Sequence, residues 1–229
     1  MENFNPNASY AERLKCASES RREHLQAYFS GPFYALTSMM GPMNDGPDWP
    51  SNAAWLAFGH GDSAGIISDG LSDPWTNTKL SSNGLGLEVF VNSPDVVFLK
   101  DNPMAIADTW LFPMIAEISH TLAMYPRLCD KLRAGNLLSL RFNIEHIKDG
   151  RGLVGVLLHI PPTMRSLPMA QGDVSLVAAT LLTTEELRWL VGKGDGGRAQ
   201  LHHLLNEMGV GQLSLAHRDS VLPSSVEEG

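Results

Sequence analysis

Two stretches of the chain, Leu153–Ile160 and Val174–Leu182, are almost unbroken apolar runs. Such a run reads as a strand covered on both faces, and therefore as a central strand of a sheet with packing on each side. The rest of the pattern supplies neighbours. Leu85, Leu87, Val89 and Val91 fall on one face of an alternating strand. Ala53–Phe58 and Gly65–Ser68 read as two strands joined by Gly59-His60-Gly61-Asp62. Phe33–Met40, Val96–Leu99, Leu137–Ile144 and Ser214–Leu222 complete the expected strands.

Helical spacing is predicted in four places. Residues 8–29 place Tyr10, Leu14, Ala17 and Tyr28 near one face. Residues 108–133 carry Leu111, Ile115, Ile118, Leu122 and Tyr125, with Pro126 expected to break the run. Thr183-Thr184-Glu185-Glu186 reads as a capping box opening a short helix that packs Leu187, Leu190 and Val191. Gly192–Gly197 is expected to be a flexible break. A last helix then carries Leu201, Leu204, Leu205 and Met208, with Gly209 as its stop. The predicted fold class is α+β: one domain over residues 8–222, with a central mixed, largely antiparallel sheet flanked by helices. A flexible N-terminus (1–7) and a disordered tail (223–229) are expected around it.

Composition excludes several roles. The formal net charge is −8, and the largest basic cluster is Arg21-Arg22 flanked by Glu19 and Glu23, which argues against a nucleic-acid partner. Cys16 and Cys129 are two distant cysteines without a CxxC partner, so they read as free thiols rather than zinc ligands. The apolar stretch Trp110–Met124 is too short to span a bilayer and is interrupted by Pro113, Glu117 and His120. With a polar start to the chain, the expectation is a cytoplasmic location, no membrane and no cofactor.

Four groups of residues carry possible chemistry. Gly61-Asp62-Ser63-Ala64-Gly65 matches the string of a serine hydrolase, but that chemistry needs a strand, a sharp elbow and then a helix. Here a strand and an Asp-Gly turn follow instead, so a hairpin is the favoured reading and hydrolysis by Ser63 the alternative. Gly192–Gly197 holds a GxGxxG string, yet it follows a helix rather than the first strand of a βαβ unit. His202 and His203 are adjacent and point to different helix faces, and His159 reads as a core histidine bonded to backbone. Asp69, Asp73 and Glu88 are expected near one end of the sheet. Acid–base or cation chemistry is open to them, but a turn-forming role is favoured, with Glu88 anchoring the turn or meeting an arginine. Arg218-Asp219 reads as a solvated pair.

The ordered set of motifs resembles the suppressor-of-fused family. Ser68-Asp69-Gly70-Leu71-Ser72-Asp73 looks like the family's turn, with Asp69, Gly70, Ser72 and Asp73 its marked positions, and Gly84-Leu85-Gly86-Leu87-Glu88 like the strand after it. Thr184-Glu185-Glu186-Leu187 and Leu201–Leu205 are similar to later family segments. The resemblance implies a non-enzymatic protein-binding domain. Animal members restrain a transcription factor, gripping its peptide partly by strand addition in a cleft between two domains. This chain resembles the first of those domains. Short, bacterial-type members imply a different partner: a toxin, neutralised by the domain as an immunity protein. The expected contact surface is the loop and strand carrying Met164, Arg165, Leu167, Met169, Val174, Leu176 and Val177. The expected state is a monomer or homodimer.

Overall fold

The computed structural model describes residues 8–37, 49–50, 54–75, 82–144, 147, 153–164 and 166–223. Residues 1–7, 224–229 and Arg165, all named above, lie outside the described residues.

Among the described residues the elements run in this order. Helix α1 (Tyr10–Phe29) precedes β1 (Tyr34–Leu36), β2 (Trp55–His60), β3 (Ser63–Ser68) and β4 (Leu87–Ser93). A 3-10 helix (Pro103–Asp108), α2 (Leu111–Met124) and α3 (Pro126–Arg133) follow. Then come β5 (Leu138–Phe142), β6 (Val154–His159), β7 (Leu167–Met169), β8 (Gly172–Leu182), α4 (Thr184–Leu190) and α5 (Gly194–Glu207). The sheet order is β1-β2-β3-β4-β8-β6-β5, with β7 paired to the start of β8. Every pairing is antiparallel except β4 with β8. The fold is thus an α+β domain with a mixed, largely antiparallel sheet. The run from Val174 to Leu182 does form the central strand, because β4 flanks it on one side and β6 on the other.

The two-residue period of the strands sorts side chains onto two faces. On β4, Leu87, Val89 and Val91 face a core built with Leu111, Ile115 and Ile118 of α2. Phe90 faces the opposite way, into a second core with Leu25 and Phe29 of α1. Glu88 shares the Phe90 side, which turns a carboxylate toward α1. A third core joins Leu157 and Leu182 to Leu190 of α4 and to Leu201 and Leu205 of α5.

Several expectations are corrected. The buried ladder of α1 is Ala17, Arg21, Leu25 and Phe29. Its i, i+4 steps place a basic residue in line with three apolar ones, a face that an apolar reading does not find. Val96–Leu99 form no strand, and Val97 and Leu99 stand exposed. Ser214–Leu222 form no strand either: the Ser214 hydroxyl and the Arg218 guanidinium bond to neighbouring backbone and side chains in place of a ladder. The glycine run is not a break throughout, because α5 begins at Gly194. Val191, Tyr125 and Met208 are exposed rather than packed. Trp49 is fully buried and meets Trp55 edge-on.

Candidate functional site

The turn after β3, the adjacent strand β4 and helix α1 bring five charged side chains together. The α1 face that packs on the sheet carries Arg21, and its neighbour Arg22 lies on the rim. The turn carries Asp69, Ser72 and Asp73, and β4 supplies Glu88 from the face opposite Leu87 and Val89.

Arg21 is the hub. Its Nε and Nη2 each lie 2.7 Å from Asp69 Oδ1, and Nη1 lies 2.8 Å from Asp73 Oδ1 and 3.2 Å from Ser72 Oγ. Nε also approaches Glu88 Oε1 at 3.5 Å. Arg22 takes the other oxygen of Asp69, with Nε at 2.8 Å and Nη2 at 2.6 Å from Oδ2. Glu88 holds the turn itself. Its Oε1 accepts from the N–H groups of Gly70 (3.1 Å) and Ser72 (3.0 Å) and from the Ser72 hydroxyl (2.6 Å). Its Oε2 accepts from the Leu71 N–H at 3.3 Å and from the Ser68 hydroxyl. Ser68 must donate there, because its own oxygen accepts from the Val89 N–H. Both Glu88 oxygens therefore face donors, the environment of an ionised carboxylate.

Electrostatics follow from burial. Desolvation pushes the pKa values of Asp73 and Glu88 up, while Arg21 pulls both down, joined at Glu88 by the Ser68 and Ser72 hydroxyls. Burial alone would disfavour the Arg21 charge, but Asp73, Asp69 and Glu88 outweigh it and hold the guanidinium protonated. Arg21 thus occupies the position a cation would take among these carboxylates. Among the described residues no group of three or more His, Cys, Asp or Glu is arranged to hold a metal ion.

The geometry brings Asp69, Gly70, Ser72, Asp73 and Glu88 into one assembly, and shows Glu88 both anchoring the turn and meeting an arginine. It also adds Arg21 and Arg22, read from the sequence as a surface basic cluster, and Ser68, read only as the start of the turn. Arg21-Arg22 next to Glu19 and Glu23 looks like a solvated charge run; only Arg21's register with Ala17 and Leu25 marked it as inward-facing. The remaining candidates are separate. Leu167, Val174, Leu176 and Val177 are buried, Leu167 pairs with Val174, and Val177 pairs with Val89. These four form core and ladder rather than an open contact edge, because β7 already covers the start of β8. Met164 and Met169 are half-buried against the same core. Ser63 opens β3 opposite His60 and runs on in strand to Ser68, so the elbow into a helix that a nucleophilic serine needs is not built there.

A second ion pair closes the far end of the domain. Arg218 is not solvated: Nη1 and Nη2 lie 2.6 Å from the two oxygens of buried Glu186, and Nη2 donates to the Leu181 carbonyl. Glu186 also accepts from the Thr183 N–H, completing the capping box of α4. His159 is buried and donates from Nε2 to the Gly211 carbonyl at 2.6 Å. Surface grooves of about 370 Å³ and 490 Å³ are lined by other residues, among them Thr184 and Arg218 in the first and His60, Asn92 and Gln212 in the second.

No family model and no curated protein matches the chain. Solved structures do. One chain of the Sufu–Fu complex crystal structure superposes with a TM-score of 0.53 at 14% identity, over 90% of this chain and 92% of that one. The crystal structure of Drosophila Suppressor of Fused superposes with a TM-score of 0.53 at 16% identity, over 90% of this chain and 51% of that one. The chain therefore spans about half the length of the Drosophila protein. The fold of this chain is like that of the Suppressor of fused structures.

Proposed function

We propose that this chain is a non-enzymatic protein-binding domain of the suppressor-of-fused type. The observation that carries this reading is the fold, shared over 90% of the chain with a structure solved as a complex with a protein, Fu. The carboxylate cluster supports it. Two carboxylates held by Arg21 and a third held by backbone N–H groups are committed to fixing a turn and a helix, which leaves them unsuited to proton transfer.

The partner is another protein. At a net charge of −8 the chain favours a basic one, through complementary fields and faster encounter. A toxin neutralised in the cytoplasm fits that chemistry, with this chain as its immunity protein. For strand addition the sheet offers two edges, β1 and β5, which among the described residues pair with β2 alone and β6 alone. Met164 and Met169, half-buried beside β7, offer adaptable side-chain contacts in addition.

The test is capture from the native organism with the tagged chain as bait, followed by reconstitution of the captured protein from purified components. A stoichiometric complex by light scattering and calorimetry is expected, together with no labelling of Ser63 by a fluorophosphonate probe. Probe labelling that disappears in Ser63→Ala would replace the reading with that of a serine hydrolase.

A further inference from the structure

We propose that the face carrying Val97, Leu99 and Met104 is a docking groove for an amphipathic helix of the partner protein, with basic residues along the flanks of that helix. The proposal rests on the reading above of a basic protein partner and names a surface that meets it. It begins with how the segment after β4 is held. Val96 is buried, and Phe98 packs on the same core beside Gly59, where a Cβ would come within 2.8 Å of the Phe98 ring. The side chains between these anchors point outward: Val97 is 75% exposed and Leu99 50%. Met104 is exposed a few residues on. Among the described residues seven large hydrophobic side chains stand exposed, and these three fall between positions 97 and 104. Single exposed apolar residues are ordinary, whereas a concentration of them around a groove marks an interaction site.

Val97 and Leu99 line a groove of about 460 Å³ together with Ala105, Trp110 and Ala216. Its walls are tied in place. The Asp95 carboxylate accepts from the Ala216 N–H at 2.6 Å, and the Asp95 N–H donates to the Ser93 hydroxyl at 3.1 Å. The Asn102 N–H donates to the Leu99 carbonyl at 3.0 Å, closing the turn into the 3-10 helix. Trp110 is half-buried and packs on the main core. A surface fixed before it is occupied loses little conformational freedom on binding.

Backbone and charge decide what enters. Residues 96–99 form no strand, Ala105 belongs to the 3-10 helix, Trp110 precedes α2, and Ala216 lies outside the strands and helices. The groove therefore offers no ladder of strand N–H and C=O groups, and strand addition is not available there. A helix needs no such ladder. Its backbone bonds are already closed, and it enters an apolar groove through side chains at i, i+3 or i+4, and i+7. The charges select its flanks. Asp95, Asp101 and Asp108 are all exposed, and between positions 95 and 108 they face one cation, Lys100. On a chain of net charge −8 this border complements lysines and arginines beside the apolar stripe of the helix. A second copy of this chain would bring the same acidic border and be repelled by it.

The probe is a labelled peptide of about 18 residues, long enough to form a helix, with a leucine stripe flanked by lysines. A second peptide carries glutamates in place of the lysines. Fluorescence anisotropy with the intact chain is expected to give a Kd of about 10 µM for the lysine peptide and at least ~10-fold weaker binding for the glutamate peptide. A Val97→Asp, Leu99→Asp double variant, changed at exposed positions, should keep the circular dichroism of the parent and weaken the lysine peptide by ~100-fold. Asp101→Lys with Asp108→Lys should remove the preference between the peptides, and Met208→Asp, at the exposed end of α5, should bind as the parent does. The proposal is overturned if the parent binds neither peptide at ~1 mM, or if the Val97/Leu99 variant binds as tightly as the parent. It is equally overturned if light scattering shows a dimer that this variant dissociates. The protein captured in the test of function gives a separate arm. Its affinity should fall with the same double substitution, and an unchanged affinity overturns the groove while leaving the binding-domain reading intact. If no partner is captured, that reading falls, and the peptide titration still decides the groove.

Discussion

Arg21 Nη2 on α1 lies 2.7 Å from Asp69 Oδ1 in the turn after β3, and each of these two side chains is only 1% exposed. The contact joins an N-terminal helix to a turn 48 residues later. It does so in a place that excludes water, so both charges depend on protein partners: Arg22 also binds Asp69, and Asp73 also binds Arg21. Arg21→Met is expected to destabilise the domain by about 3–5 kcal/mol, the usual consequence of leaving buried carboxylates without their cation. Arg22→Ala removes a partner of the same aspartate but from a side chain 44% exposed, and should cost about 1 kcal/mol or less. Urea denaturation of both variants checks the contrast, and equal losses would contradict the role given to Arg21.

Glu88→Gln tests the anchoring of the turn. The substitution preserves shape but replaces one acceptor with an NH₂ group, which then faces the N–H donors of the turn. A loss of about 2–4 kcal/mol is expected, from an unmade hydrogen bond to a charged group and the donors left unpaired. Hydrogen exchange should locate the damage: the amides of Gly70, Leu71 and Ser72 should lose protection before those of β6.

His159 predicts a pH dependence. Its folded pKa, about 4, lies below the ordinary histidine value of 6.5. Between these values the unfolded chain binds a proton that the folded chain does not, so stability falls as pH drops from about 6.5 toward 4. The full effect amounts to about 3 kcal/mol. Asp73 and Glu88, with raised pKa values, act in the opposite direction at the acid end of that window. Comparing the parent with His159→Gln cancels their contribution. The glutamine can still donate to the Gly211 carbonyl but does not titrate, so its stability should vary less over this range. Parallel profiles for the two proteins would argue against a neutral buried His159.

Two glycines with positive φ should respond differently to alanine. Gly84 has φ +52°, and a Cβ there would sit 2.3 Å from the Asp73 carbonyl oxygen and 2.7 Å from that of Leu71. Both are backbone atoms of the turn that Glu88 holds. Gly61, in the β2–β3 hairpin, has φ +59° and nothing within 4 Å of its Cβ position. Gly61→Ala should cost about 1 kcal/mol, the strain of the left-handed backbone alone. Gly84→Ala should cost about 2–4 kcal/mol, since the turn must also move. Thermal or urea unfolding separates the two.

Much of the fold is legible in residue order because its signals are local. The alternation of Leu85, Leu87, Val89 and Val91, the Pro126 break between α2 and α3, and the Thr183/Glu186 capping box are each readable within a short window. The Ser9/Glu12 capping box that opens α1 is equally local and was there to be read. The less legible parts are those whose hydrogen bonds lead elsewhere. Ser214–Leu222 has the apolar pattern of a strand, but its polar groups are satisfied by Ala179, Leu181 and Glu186, so it pairs with no strand. Val174 and Leu167 have the pattern of an open edge, but the chain folds back and pairs them with each other.

The sequence by itself determined the kind of sheet, the positions of its buried strands and the identity of the turn carrying Asp69, Ser72 and Asp73, because periodicity and turn chemistry act over a few residues. Only the tertiary structure decided that Arg21 enters that turn, that β4 and β8 run parallel, and that His159 meets His202. Each of these joins residues more than 40 positions apart. What selects such pairs is the need of buried charges and polar groups for a partner once water is gone, and that need arises only when the layers have packed.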